Sequence, residues 1–160
     1  MNKFNYKVDY LNLILFILIF VWLILIHFNF LSILFPSLSV LDLFISKMFS
    51  IVCHQEKDKV LTCSGHSAFV CFRCLGLYWG VFISSFFLFI FKRLYNAANK
   101  KLFFTSLIFI GIDVLLVNLG IYKYNNYITF LTGFLLGFIC FLYLYKSIFE
   151  QLSENKVIDE

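Results

Sequence analysis

Four stretches of this 160-residue chain are each long and apolar enough to cross a lipid bilayer, which leaves little sequence for anything else. A hydrocarbon core about 30 Å thick asks for roughly 20 apolar residues at about 1.5 Å each. Residues 11–35, 67–91, 102–122 and 127–145 meet that length. With 62% hydrophobic and only 14% charged residues, the chain carries more apolar surface than one soluble core could bury. The pattern predicts an all-α membrane protein: a single polytopic domain over 1–160, with four transmembrane helices and one interfacial amphipathic helix. Lys3 and Lys7 ahead of the first stretch imitate a secretory signal. The stretch exceeds the roughly 7–15 residues of a signal core and has no small-x-small cleavage site, so it is expected to be retained.

The charges then read as topology. Lys3, Lys7, Lys92, Arg93, Lys100, Lys101, Lys146 and Lys156 fall on one side of a four-span arrangement, and Lys47, Lys57, Lys59, Arg73 and Lys123 on the other. Eight against five, with the first group clustered at span ends, places both termini in the cytoplasm of a multi-pass cell-membrane protein. The net charge of +4 is not gathered into a basic patch interleaved with aromatics, so the lipid bilayer is the expected partner and nucleic acid is not. Residues 37–52, after the single proline Pro36, are too short to span. Ser39, Asp42, Ser46 and Ser50 nonetheless recur at helical spacing among apolar residues, the mark of a helix lying in the outer interface.

That helix delivers the chain to the one window rich in chemistry. Between Cys53 and Cys74 lie four of the five cysteines and two of the three histidines: Cys53, His54, Cys63, His66, Cys71 and Cys74. Thiolate and imidazole are the ligands that hold zinc tetrahedrally, and the two-residue gap of Cys71-Phe-Arg-Cys74 lets both sulfurs reach one ion. The expected site is zinc or a similar transition metal on Cys53, His54, Cys71 and Cys74, with Cys63 and His66 as spare ligands. The intervening residues 53–66 form an extracytoplasmic loop. A helix N-terminus and the adjacent Arg73 both favour thiolate at the second span's start. The same residues fit a membrane thiol-disulfide oxidoreductase with two pairs, Cys71 and Cys74 and a loop pair such as Cys53 and Cys63, of which one exchanges with a client and the other passes electrons on to a quinone. A plain structural disulfide, or a non-catalytic membrane assembly factor braced by its loop, needs fewer assumptions still.

Outside the window, polar groups within the spans are few. Asp113 is the only acidic one, about 14 Å deep from the outer end of its helix at about 1.5 Å per residue. Its burial cost demands a partner or a proton, and Arg73 is the nearest base. Asp113 and Arg73 are therefore the candidate catalytic residues, with Asn118, Asn125 and Asn126 available to line a polar cavity opening to a membrane-protein or lipid-soluble substrate. His27, near the outer end of the first span, reads as an interfacial or packed histidine, and Cys140 as a small packing residue. Gly76-Leu-Tyr-Trp-Gly80 and Gly133-Phe-Leu-Leu-Gly137 are small-xxx-small patterns that let the second and fourth spans approach closely.

Cys53-His54-Gln55, the run Val70-Cys71-Phe72-Arg73-Cys74-Leu75-Gly76-Leu77-Tyr78-Trp79-Gly80, Asp113, Asn125-Asn126 and Thr132-Gly133 together resemble the bacterial and archaeal membrane-protein family catalogued as domain of unknown function 2085. The likeness runs from about Phe49 to Gly137. It implies a shared site and topology and supplies no reaction. Relative to the family's pattern, Val117 stands where a glutamine follows the aspartate, and Thr129 where an arginine follows the paired asparagines. Cys63 lies outside the pattern.

Overall fold

A computed structural model describes residues 3–31, 39–56, 59–63, 66–91, 94 and 98–158. Pro36, Ser37, Lys57, Lys92 and Arg93 lie outside the described residues, as do the side chains of Lys3, Lys7, Cys63 and Lys156. Among these residues the elements follow in the order α1 (Lys3–Ile26), α2 (Phe28–Leu31), α3 (Ser39–Val52), β1 (Val60–Cys63), β2 (His66–Cys71), α4 (Phe72–Ile90), α5 (Lys100–Asn118) and α6 (Asn126–Ile158). Among the described residues, three helical segments are long and apolar enough to cross a membrane: Phe72–Ile90, Lys100–Asn118 and Asn126–Gln151. The apolar part of α1, Tyr10–Ile26, is shorter. A break at His27, where the expected first span was to continue, ends it. The rest of that expected continuation, 32–35, falls outside the described residues.

The seam between α4 and α6 organises the bundle. A Cβ on Gly76 or Gly80 would collide with the carbonyl oxygens of Phe130 and Phe134, and one on Gly133 or Gly137 with those of Arg73 and Leu77. Each helix thus sets its glycines against the other's backbone, which lets dispersion contacts and carbonyl dipoles act where lipid offers no hydrophobic drive. On the other side of α4, Phe16 of α1 stacks on Phe82 at 5.1 Å and meets Phe89 edge-on at 5.5 Å. Buried Ser85 donates a hydrogen bond to Asn12 Oδ1 at 3.2 Å, so α1 and α4 also share an interhelical polar contact. Helix α5 leans on α6 through Phe103 stacked on Tyr143 at 5.2 Å. Its Ile108, Phe109, Ile112 and Leu115 remain exposed, as apolar side chains facing lipid should be.

Sequence reading placed the second span from residue 67, but α4 begins at Phe72 and the preceding residues form an antiparallel hairpin. Val60 pairs with Cys71, Thr62 with Ser67 and Cys63 with His66, with an irregularity between Val60 and Thr62. β-Branched Val60, Thr62 and Val70 suit strands. The apolar run Ala68–Val70 is continuous with the helix behind it, so hydropathy alone merges the two. In the structure all three are buried, and Phe69 and Val70 join a cluster with Leu23, Ile26, Phe49, Cys53 and Leu75 that caps that end of the bundle. Helix α3 covers the same end: Phe49 stacks on Phe69 at 6.0 Å and meets Trp22 edge-on at 5.0 Å.

Candidate functional site: three cysteines and a buried ion pair

Local chain geometry brings Cys53, Cys71 and Cys74 together from three elements. Cys53 closes α3, its N–H donating to Phe49 O at 2.8 Å. The chain then turns through Gln55 at φ 46°, a left-handed conformation uncommon outside glycine. Gln55 Nε2 holds the turn by donating to Phe69 O at 2.9 Å and Ser46 O at 3.2 Å, fastening α3 to β2. Cys71 ends β2 as the N-cap of α4 in extended conformation, its side chain making no cap bond. Its sulfur is free to face inward, while its N–H donates to Cys53 Sγ at 3.2 Å. Cys74 follows one turn along α4. The three sulfurs lie within 4.8 Å of one another, Cys53 buried and the other two half-buried. All three are free thiols.

Electrostatics favour the thiolate form at Cys53. Hydrogen bonds from the thiols of Cys71 and then Cys74, with smaller help from the N–H groups of Gln55 and Cys71, hold it far below the ordinary thiol range against the opposing pull of burial. A thiolate flanked by two further sulfurs is a soft, preformed donor set, and each sulfur would sit about 2.3 Å from a bound zinc ion.

The expected fourth ligand is not with them. His54 is exposed, whereas its neighbour Cys53 is buried, and it lies outside the three-sulfur group. His66 is also outside the group. Its Nδ1 hydrogen-bonds Asn29 Oδ1 at 3.0 Å, and Asn29 Nδ2 donates to Ser67 O at 2.8 Å. The pairing carries the proton on Nδ1 and ties the hairpin to the end of α1–α2. The backbone of Cys63 is in β1, and its side chain is outside the described residues. His27 Nδ1 bonds Leu23 O at 2.9 Å, and Cys140 stands in α6 away from the trio.

Beside the sulfurs, Arg73 projects from the first turn of α4 to Asp113 of α5, Nη2 to Oδ2 at 2.8 Å. The Asp113 side chain is only 4% exposed. Tyr122 supplies the second donor to it, through a short hydrogen bond from its hydroxyl to Oδ1. A helix end makes that return possible. Gly120, at φ 69°, donates to Val117 O at 3.1 Å while Ile121 donates to Leu116 O at 3.1 Å, a Schellman arrangement that reverses the chain. Sequence reading found the ion pair but not the tyrosine. The signal was Gly120 just past the helix, whose reversal brings Tyr122, nine positions after Asp113, back beside it. Asn118 and Asn125 are exposed rather than lining a cavity. Asn125 instead caps α6, Oδ1 accepting from the N–H of Tyr127 at 2.9 Å.

Residues 53–143, more than half of the chain, match the family described as predicted membrane protein, domain of unknown function 2085. The chain belongs to that family. It is 29% identical over 110 residues to an uncharacterized protein of Methanocaldococcus jannaschii, covering 68% of this chain and 70% of that protein. It is also 32% identical over 85 residues to an uncharacterized protein of Methanothermobacter thermautotrophicus, covering 53% and 77%. No solved structure matches. The family match begins at Cys53 and takes in every residue of the trio, together with Arg73, Asp113 and Tyr122.

Proposed function

We propose that this family member is a multi-pass protein of the cell membrane built around an extracytoplasmic transition-metal centre, with zinc as the ion and Cys53, Cys71 and Cys74 as its protein ligands. The observation that carries the reading is the meeting of three sulfurs, from the residue that follows α3, the end of β2 and the first turn of α4. Three protein ligands leave a fourth position for water or a substrate group, the arrangement of catalytic rather than structural zinc. The ion would neutralise thiolates that otherwise repel one another, and would lock the hairpin to the bundle. Metal affinity falls as pH falls, because protons compete for the sulfurs.

Elemental analysis of detergent-purified protein, with a count of free thiols, tests this. About one equivalent of zinc is expected, with occupancy falling at least tenfold in Cys53→Ser and Cys74→Ser and unchanged in His54→Ala. Loss of zinc in His54→Ala would restore the histidine as fourth ligand. A metal-free protein with a Cys71–Cys74 disulfide would replace the metal reading with thiol exchange to a quinone.

The same proposal takes α1 as a fourth span, tilted or locally thinning the bilayer to suit its length, with both termini cytoplasmic and α3 lying in the outer interface. Exposed Leu43, Phe44, Met48 and Ile51 support an α3 half-immersed in lipid. A membrane-impermeant amine reagent should label Lys57 and Lys59 on intact cells. Labelling only after lysis would invert the topology.

A further inference from the structure

The start of α4, with its sulfurs, lies against the start of α6, where Gly133 meets the Arg73 carbonyl. Further along α6 the bundle holds a second polar feature, a cavity where α5 begins. Lys146 stands about 30 Å along α6 from Asn126, one hydrocarbon thickness away from the sulfur end. The cavity measures about 190 Å³, whereas a single buried water needs only about 10–15 Å³. Asn99 and Lys100 line it from the start of α5, and Tyr143, Lys146, Ser147 and Glu150 from α6.

These residues form a fixed frame. Lys146 Nζ donates to the carbonyl of buried Ala98 at 3.1 Å, which engages one of the three N–H groups of the ammonium and leaves two. The Tyr143 ring is held by stacking on Phe103. Asn99 is the N-cap of α5, yet its side chain makes no bond to the helix it starts. Among the described residues, the charged groups lining the cavity are Lys100, Lys146 and Glu150, two cations against one anion.

That charge balance limits the ligand. A singly charged anion closes it. A metal ion would meet two ammonium groups, and a hydrocarbon chain would leave the polar side chains without partners. An ammonium binds phosphate as a point charge, so two lysines need no fixed fork geometry to do so. At the depth where the apolar spans give way to Lys100, Lys101 and Lys146, the anionic groups of a bilayer are lipid phosphates, and basic pockets between helix ends recognise them.

We propose that Lys100 and Lys146, with Asn99 and Ser147 beside them, bind a phosphate group in this cavity, presented by a phospholipid headgroup or by a soluble phosphate ester. Bound there, the phosphate bridges the start of α5 to α6, as Lys146 already does through Ala98. None of these residues belongs to the sulfur cluster, so the proposal is independent of the metal reading.

Thermal unfolding of the full chain in a neutral, phosphate-free detergent, titrated with phosphatidylglycerol or with diacylglycerol of the same chains, tests the proposal. Only the first lipid carries a phosphate. It should raise the unfolding temperature with the logarithm of its concentration over Kd, and diacylglycerol should not. Lys100→Gln and Lys146→Gln should each weaken phosphatidylglycerol about tenfold, the scale of one lost hydrogen bond to a charged group. Each shift is read from that variant's own baseline, so loss of the Ala98 bond does not enter. Lys101→Gln removes the same charge outside the lining and should change the affinity by about twofold at most, because an exposed charge acts only through a screened field. Glu150→Gln removes a like charge and should tighten binding severalfold, a gain that purely structural lysines would not produce.

A second arm titrates the same protein with glycerol 3-phosphate against chloride at constant ionic strength. A response there that is lost in Lys100→Gln assigns the site to a soluble ester, whereas a response to phosphatidylglycerol alone assigns it to the lipid headgroup. Equal stabilisation by diacylglycerol, equal losses in Lys100→Gln and Lys101→Gln, or no response in either arm would overturn the proposal.

Discussion

Gly80→Leu should leave no folded bundle. A Cβ at this position lands on the carbonyl oxygen of Phe134 and lies 2.8 Å from the amide nitrogen of Phe138. Both obstacles are backbone of α6, so no side-chain rotation relieves them. The helices must part along their length, and the reciprocal contacts of Gly76, Gly133 and Gly137 are lost together. Overpacking against movable side chains costs about 1–3 kcal/mol. Against helix backbone the expected loss exceeds that range. Thermal unfolding in detergent and the yield of monodisperse protein read it out. Gly111→Ala supplies the contrast, because nothing lies within 4 Å of a Cβ there. That variant should be neutral or more stable by about 0.5–1 kcal/mol from helix propensity alone. A Gly80→Leu protein that unfolds with wild type would mean that the α4–α6 seam does not hold the bundle together.

That seam was legible in the sequence because small residues four apart have one geometric meaning on a helix. The hairpin was not. Its strand β2, His66–Cys71, has the apolar core Ala68-Phe69-Val70, and a helix of apolar residues follows without a break, so one hydropathy run contains both an end cap and a span. The consequence for the site is direct: Cys71 is the last residue of a strand and only then the cap of a helix. A strand end aims its side chain independently of the helix's i, i+3 rule, which lets Cys71 and Cys74 meet a third sulfur from outside. The three sulfurs were foreseeable from residue type and spacing. The exposure of His54 was not, since residue type and spacing do not say which of two adjacent side chains, Cys53 or His54, is buried.

The same hairpin links the two polar centres at this end of the molecule. Arg73 lies between Cys71 and Cys74 in sequence, and its carbonyl is the atom that Gly133 approaches. The first turn of α4 therefore positions two sulfurs, one cation and the helix seam at once. A change that shifts this turn reaches the thiols and the ion pair together, whereas Asp113, on α5, can be altered without moving either cysteine. That separability makes the ion pair open to a clean test.

Arg73→Ala should be among the most damaging single changes away from the glycine seam. It leaves the Asp113 carboxylate, 4% exposed, with Tyr122 as its remaining donor. Removing one partner of a buried ion pair typically costs about 3–5 kcal/mol, because the stranded charge has lost its compensation. Asp113→Asn is the complementary change and strands the cation. Arg73 is more exposed, at 27% of its side chain, and has water to turn to, so this variant should lose less than Arg73→Ala. Tyr122→Phe removes one hydrogen bond while leaving the charges paired. It should cost about 1.5–3 kcal/mol, as expected for a bond to a charged acceptor. The double change Arg73→Met with Asp113→Leu removes both charges and fills their space with apolar groups. It should recover most of the stability lost in Arg73→Ala, since a buried pair often contributes little beyond an apolar replacement of similar volume. The four unfolding temperatures, measured in one detergent, give the order double variant, Tyr122→Phe and Asp113→Asn all above Arg73→Ala. If Arg73→Ala unfolds with wild type, Asp113 must reach water or another partner, and the ion pair cannot be what joins α4 to α5.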